Sequence, residues 1–221
     1  MRRIAGVLWR PRSTMAALVA APTYTTVWLA LLAIWLLPGA WLLSTDIGRQ
    51  AVVDERVRMV EAAGGTVTDA EYAGWQASPP WAIYFASGGR LLLAPPVTWL
   101  VAMGLRRLAR GLSGAAALAV SVHALAPLVL QQVVATPLHY WRESLTSPTN
   151  LAAFLPVDDG SVAARLLGGI DVFAVWWLWL LAVGLAAATG RPARAHWAVL
   201  AAIYLAVIGT VAAALAAAGG A

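Results

Sequence analysis

The chain has 221 residues, of which 61% are hydrophobic and 11% charged, with a mean hydropathy of +0.75. Soluble domains run at about 45–50% apolar and about 25% charged, so this balance excludes an ordinary soluble enzyme, a disordered tail and a disulfide-stapled secreted module. All 15 basic residues are arginine, the net charge is +5 and cysteine is absent, which removes disulfides, thiolate nucleophiles and cysteine-ligated metal. In a soluble chain such basicity would suggest nucleic acid. Here the arginines flank apolar segments, and membrane lipid rather than nucleic acid is the expected partner.

Residues 1–24 carry Arg2, Arg3, Arg10 and Arg12 around a short apolar run bracketed by Pro11 and Pro22. A secretory signal peptide is the competing reading, but a full-length apolar segment follows at once. The pattern predicts an interfacial helix over 11–21, opened by Pro11, with Trp9 and the arginines at headgroup level. Crossing a hydrocarbon core of roughly 30 Å takes about 20 apolar residues as a helix. The first such segment is 25–44, which carries no charge.

The loop 45–80 is the only sizeable polar piece. Val53, Val57 and Val60 recur at helical spacing within 50–63, and Gly64-Gly65 ends that helix. Thr68-Asp69-Ala70-Glu71 has capping-box spacing for a second short helix toward Trp75, so the loop reads as a small extracytoplasmic helical hairpin. A second span is expected at 81–105, containing Arg90 and Pro95-Pro96, and a third at 112–136, containing His123, Pro127 and Gln131-Gln132. The loop 137–165, with Pro148, Pro156 and Asp158-Asp159-Gly160, reads as irregular and acidic. The fourth span, 166–188, has Asp171 near its start, and the fifth, 195–218, is almost wholly Ala, Val, Leu and Ile.

Charge fixes an orientation for these spans. The N-terminus, the 106–110 turn and the 191–194 turn together hold nine arginines and no acidic residue, whereas the other two loops mix both signs. Arginine collects on the cytoplasmic side. The expected fold is therefore an all-α, multi-pass bundle of five transmembrane helices forming one membrane domain, N-terminus cytoplasmic and C-terminus outside.

Charged groups inside spans are costly and mark functional candidates. Arg90 and Asp171 are expected at similar depth, as either a structural ion pair or a substrate-binding one. His123 is either a hydrogen-bonded packing residue or a proton relay, and Gln131 and Gln132 suit interhelical hydrogen bonds. Arg90, Asp171, His123 and Gln131 would together line a polar path if the spans converge. Pro38, Pro127 and Pro95-Pro96 predict kinks, open either to a transport path or to neighbouring helices. His139 and Glu143 would share a helix face, but two ligands make no metal site, and His196 lies on the opposite membrane side. Among the 12 tryptophans, Trp9, Trp41, Trp81, Trp141 and Trp197 fall near predicted interfaces, while Trp176, Trp177 and Trp179 lie deeper. No phosphate-binding glycine loop, zinc-protease motif or nucleophile elbow is present, so neither enzymatic activity nor a cofactor is expected.

Four segments resemble the Yip domain family of Ypt/Rab-interacting proteins and their bacterial relatives. Leu8-Trp9-Arg10-Pro11-Arg12-Ser13-Thr14 resembles its arginine–proline opening, and His123-Ala124-Leu125-Ala126-Pro127 its third-span approach to a proline. Ile170-Asp171-Val172-Phe173-Ala174-Val175-Trp176 resembles its L-D-x-F-x-x-W segment, and the same span continues to Gly184-Leu185. The resemblance implies five spans and a cytoplasmic N-terminus. Eukaryotic relatives assist vesicle traffic with Rab partners, but this chain lacks their long cytosolic N-terminal region, so a Rab-type GTPase is not expected. The compact, all-arginine form implies a bacterial cytoplasmic-membrane protein. Two functions are carried forward: a non-enzymatic scaffold or accessory subunit contacting other membrane proteins or itself, or a small transporter or lipid-handling protein.

Overall fold

A computed structural model describes residues 2–79, 81–82, 84, 92–157 and 161–219. The described residues are helical, with one isolated antiparallel bridge, Asn150 to Asp171. Among the described residues, four helical stretches are long and apolar enough to cross a membrane: Thr25–Ser44, Gly114–Arg142, Val172–Thr189 and Ala193–Ala217. Of the span expected at 81–105, residues 81–82, 84 and 92–105 are described, and the 15-residue helix Ala94–Leu108 begins within them; Arg90 lies outside the described residues.

The N-terminus forms two helices, α1 (Arg2–Trp9) and α2 (Pro11–Ala20), where the sequence suggested one. Pro11 takes the first turn of α2, a position whose N–H has no intrahelical partner in any helix. The long α3 (Thr25–Ser44) carries Pro38 within it. Thr45 then caps α4 (Asp46–Ala62), its hydroxyl accepting the Gly48 N–H at 3.0 Å. Gly64, at φ +81°, terminates α4 in a left-handed conformation that L side chains resist. Its N–H donates to Glu61 O, and the Gly65 N–H donates to Val60 O at 3.0 Å, so the last carbonyls of α4 are satisfied.

A full capping box opens α5 (Asp69–Gln76): Thr68 Oγ1 accepts the Glu71 N–H while the Glu71 carboxylate accepts from the Thr68 N–H and hydroxyl. Pro95 and Pro96 fall in the first turn of α6 (Ala94–Leu108), where proline starts a helix instead of breaking one. The stretch read as one span at 112–136 divides into α7 (Gly114–Ala124) and α8 (Ala126–Arg142). Pro127 has no N–H to offer the His123 carbonyl, so the ladder breaks at Leu125.

Past α8, the 3₁₀ turn Leu151–Phe154 and α9 (Val162–Gly168) precede a second break, at 169–171. Then come α10 (Val172–Thr189) and α11 (Ala193–Gly219), separated by Gly190 at φ +71°. The segment expected as a continuous span over 166–188 is thus two helices, and Asp171 stands in the break ahead of α10 rather than inside a span. His139 and Glu143 do not share a helix, because α8 ends at Arg142 and Glu143 adopts φ +51°.

The chain divides into two compact units. In the first (1–36, 89–131 and 173–203), α1 and α2 pack on each other and on α7, and α6 packs on α7. Val7, Met15 and Leu18 are completely buried. Leu31, Val122, Ala126 and Val129 form a cluster, with Ile4, Leu8, Trp28 and Trp35 against it. Without a hydrophobic difference between helix and lipid, such contacts rest on close van der Waals fit. α7 accordingly presents Ala116, Ala117, Ala119, Val120 and Ala124, all buried. Gly184 of α10 leaves room for Val120: a Cβ there would sit on the valine side chain.

The second unit (37–88, 132–172 and 204–221) holds α4, α5, α9 and the later part of α11. Here α4 and α5 pack together. Gln50 Nε2 and the Tyr72 hydroxyl both donate to Asp54, Gln76 donates to Gln50, and the Arg56 guanidinium lies 4.3 Å from the centre of the Trp75 ring.

Candidate functional site

Asp171 is the buried carboxylate of the described residues, 8% exposed. Its Oδ2 accepts the hydroxyls of Thr149 and of Ser147, the latter at 3.2 Å. The Val172 N–H donates to Thr149 O and the Leu151 N–H to Ile170 O, so strand-like backbone pairing and the carboxylate hold the same two segments. Asn150, equally buried, opens the 3₁₀ turn by accepting the Ala153 N–H at 3.0 Å. On the other side, the Tyr204 hydroxyl of α11 donates to Gly169 O at 2.9 Å. A Cβ on Gly169 would meet Ile208 at 2.7 Å, so the close approach of α11 requires glycine there. The whole forms a polar clamp within the second unit. Its carboxylate is occupied by hydroxyl donors that lower the cost of its burial.

Beside the clamp lies a cavity of about 930 Å³, bordered by Ser147 and Asn150 and by Glu55, Arg58, Glu61 and Arg142. Arg58 pairs with Glu55. His139 Nδ1 donates to Ser144 O at 2.8 Å and so closes the end of α8. On the neighbouring hairpin, the Thr68 N–H and hydroxyl hold the Glu71 carboxyl below the usual range.

The remaining residues singled out from sequence sit elsewhere. His123 and Gln131 belong to the first unit and Asp171 to the second. His123 is 1% exposed, with Nδ1 bonded at 2.8 Å to Ala119 O one turn back on its own helix. Gln131 is half-buried on α8, and Gln132 donates to Thr136. The Arg90 half of the expected ion pair lies outside the described residues.

Sequence reasoning missed Ser147, Thr149, Asn150 and Tyr204 as partners of the 169–171 break. Ser147-Pro148-Thr149-Asn150 carries a local turn signal, but nothing in it names a partner more than 20 positions away.

No curated protein and no solved structure matches the chain. Residues 5–216 match the Yip1 domain, a range that takes in most of both compact units, the Asp171 clamp and nearly all of the four long apolar helices. The chain therefore belongs to the Yip1 domain family of membrane proteins.

Proposed function

We propose that this protein is a non-enzymatic scaffold or accessory subunit of a membrane assembly in a bacterial cytoplasmic membrane. It spans the bilayer five times, N-terminus cytoplasmic and C-terminus outside, with 81–105 supplying the second span and α4–α5 lying on the outer face. The candidate polar residues serve this architecture: Asp171 clamps an outer loop, and His123 and Gln131 pack within the bundle.

The observation that carries the reading is the two-faced surface of α11. Leu200 and Ala212 are buried, with Tyr204 and Ile208 partly buried between them on the same i, i+4 ridge. Almost opposite runs a second ridge, Ala202, Ala206, Thr210 and Ala214, every member small and exposed. Ile203, Val207 and Val211 stand exposed along its edge. Small residues at four-residue spacing let a second membrane helix approach closely, which is how helices associate without a hydrophobic driving force. Only 11% of the apolar window of α11 is covered by the chain itself, against 56% for α7–α8.

Extraction in mild detergent is expected to yield an assembly heavier than one chain, with Ala206→Trp reducing it to single chains that keep their helical content. A strictly monomeric wild-type particle, or an assembly indifferent to Ala206→Trp, would overturn the reading.

A further inference from the structure

A cavity of about 640 Å³ in the first unit is bordered by Arg12 of α2, by Arg191 and Arg194 at the α10–α11 turn, and by Trp179, Val183 and Ala187 of α10. We propose that it binds an anionic phospholipid, the phosphate held by Arg12, Arg191 and Arg194 and one acyl chain lying along Trp179 and Ala187.

Three features carry this assignment. First, the charge is one-sided: among the described residues the first unit contains no aspartate or glutamate. The guanidinium groups of Arg12, Arg191 and Arg194 make no ion pair or side-chain hydrogen bond among the described residues, and all three are exposed. Three cations brought together without a counter-ion repel one another, and a phosphodiester relieves that repulsion with charge-assisted bonds.

Second, the wall next to these cations is apolar. Trp179, Val183 and Ala187 follow one another along α10 at intervals of four residues, so they make a continuous track down the helix. Val183 is already buried, whereas Trp179 is half-buried and Ala187 exposed; a soluble anion would leave those two uncovered, and a lipid uses both parts. The volume falls within the roughly 300–1,000 Å³ usual for small-ligand sites.

Third, the turn is tied by hydrogen bonds at Thr189. The Thr189 hydroxyl donates to Leu185 O at 2.8 Å and receives the Arg191 N–H at 3.3 Å. The His196 ring meets the same hydroxyl at 2.8 Å, and with its proton already given to Leu185, the imidazole Nε2 is the donor. Arg191 and Arg194 are thereby presented on a fixed backbone, which limits the entropy lost on binding.

The test is the thermal midpoint of the full chain in mild detergent, titrated with dioleoyl phosphatidylglycerol, with phosphatidylcholine of the same acyl chains, and with inorganic phosphate. Phosphatidylglycerol is expected to raise the midpoint, and the other two to leave it unchanged. R12Q/R191Q/R194Q is expected to weaken the phosphatidylglycerol response about 100-fold in concentration, about fivefold for each arginine. R106Q/R107Q, at the end of α6 and outside this cavity, keeps the full response. Ala187→Phe fills the apolar track without touching a charge and is expected to blunt the response on its own, which decides the matter should the triple variant fail to fold. The proposal is overturned by equal responses to the two lipids or by a phosphate response matching that to phosphatidylglycerol. It is also overturned by loss of the response in R106Q/R107Q, or by an undiminished response in Ala187→Phe.

Discussion

Asp171→Ala is expected to destabilise the second unit by about 2–4 kcal/mol, read as a lower thermal midpoint in detergent and faster protease nicking within 145–157. The carboxylate is 8% exposed and accepts two hydroxyls. Removing it costs both charge-assisted bonds and leaves the Thr149 and Ser147 hydroxyls without this acceptor. The segment they anchor also carries the Asn150 cap, so its release propagates into the 3₁₀ turn. Asp171→Asn keeps one acceptor oxygen of the right shape and is expected to lose about 1 kcal/mol. Equal stability of Asp171→Ala and wild type would remove the clamp from this account.

Gly184→Leu is expected to cost upwards of about 3 kcal/mol and to yield aggregated protein on size-exclusion chromatography. Val120, which a Cβ at 184 would strike, is completely buried, and as a β-branched residue within α7 it has essentially one rotamer to occupy. It cannot turn away, so the two helices must separate, and Leu178, Leu181 and Leu185, all buried along α10, lose contact together. Gly184→Ala is the milder probe, at about 1–3 kcal/mol. Paired with Val120→Ala, which supplies the missing space, it is expected to be less damaging than the two changes summed. Strict additivity would place the two residues out of contact.

These two positions show what local sequence reading can and cannot reach. The Thr68-to-Glu71 spacing specifies a capping box because both partners lie within one turn, and it forms. Gly64-Gly65 likewise stops α4 through bonds to carbonyls three and five residues back. The long apolar runs are legible because spanning length and hydropathy are properties of single segments.

The breaks are legible only in part. Pro127 marks the α7–α8 discontinuity, yet hydropathy averaged across it reads as one span. At 168–171 the sequence Gly-Gly-Ile-Asp carries the same glycine-pair signal that ends α4, but the apolar runs on both sides read through it as one span. What fixes that break comes from afar: Thr149, 22 positions before Asp171, and Tyr204, 35 positions after Gly169. Arg12 and Arg191 read separately as orientation signals, and no local pattern reveals that one cavity gathers them.

The absence of cysteine makes the decisive measurement simple, because any introduced thiol is unique. Arg110→Cys and Ala217→Cys, each alone, are to be treated in spheroplasts with a membrane-impermeant maleimide, before and after permeabilisation. Five spans with a cytoplasmic N-terminus place the 106–110 turn inside and the end of α11 outside. The account predicts that Ala217→Cys labels in intact spheroplasts and Arg110→Cys only once they are opened. Identical behaviour of the two thiols would contradict it.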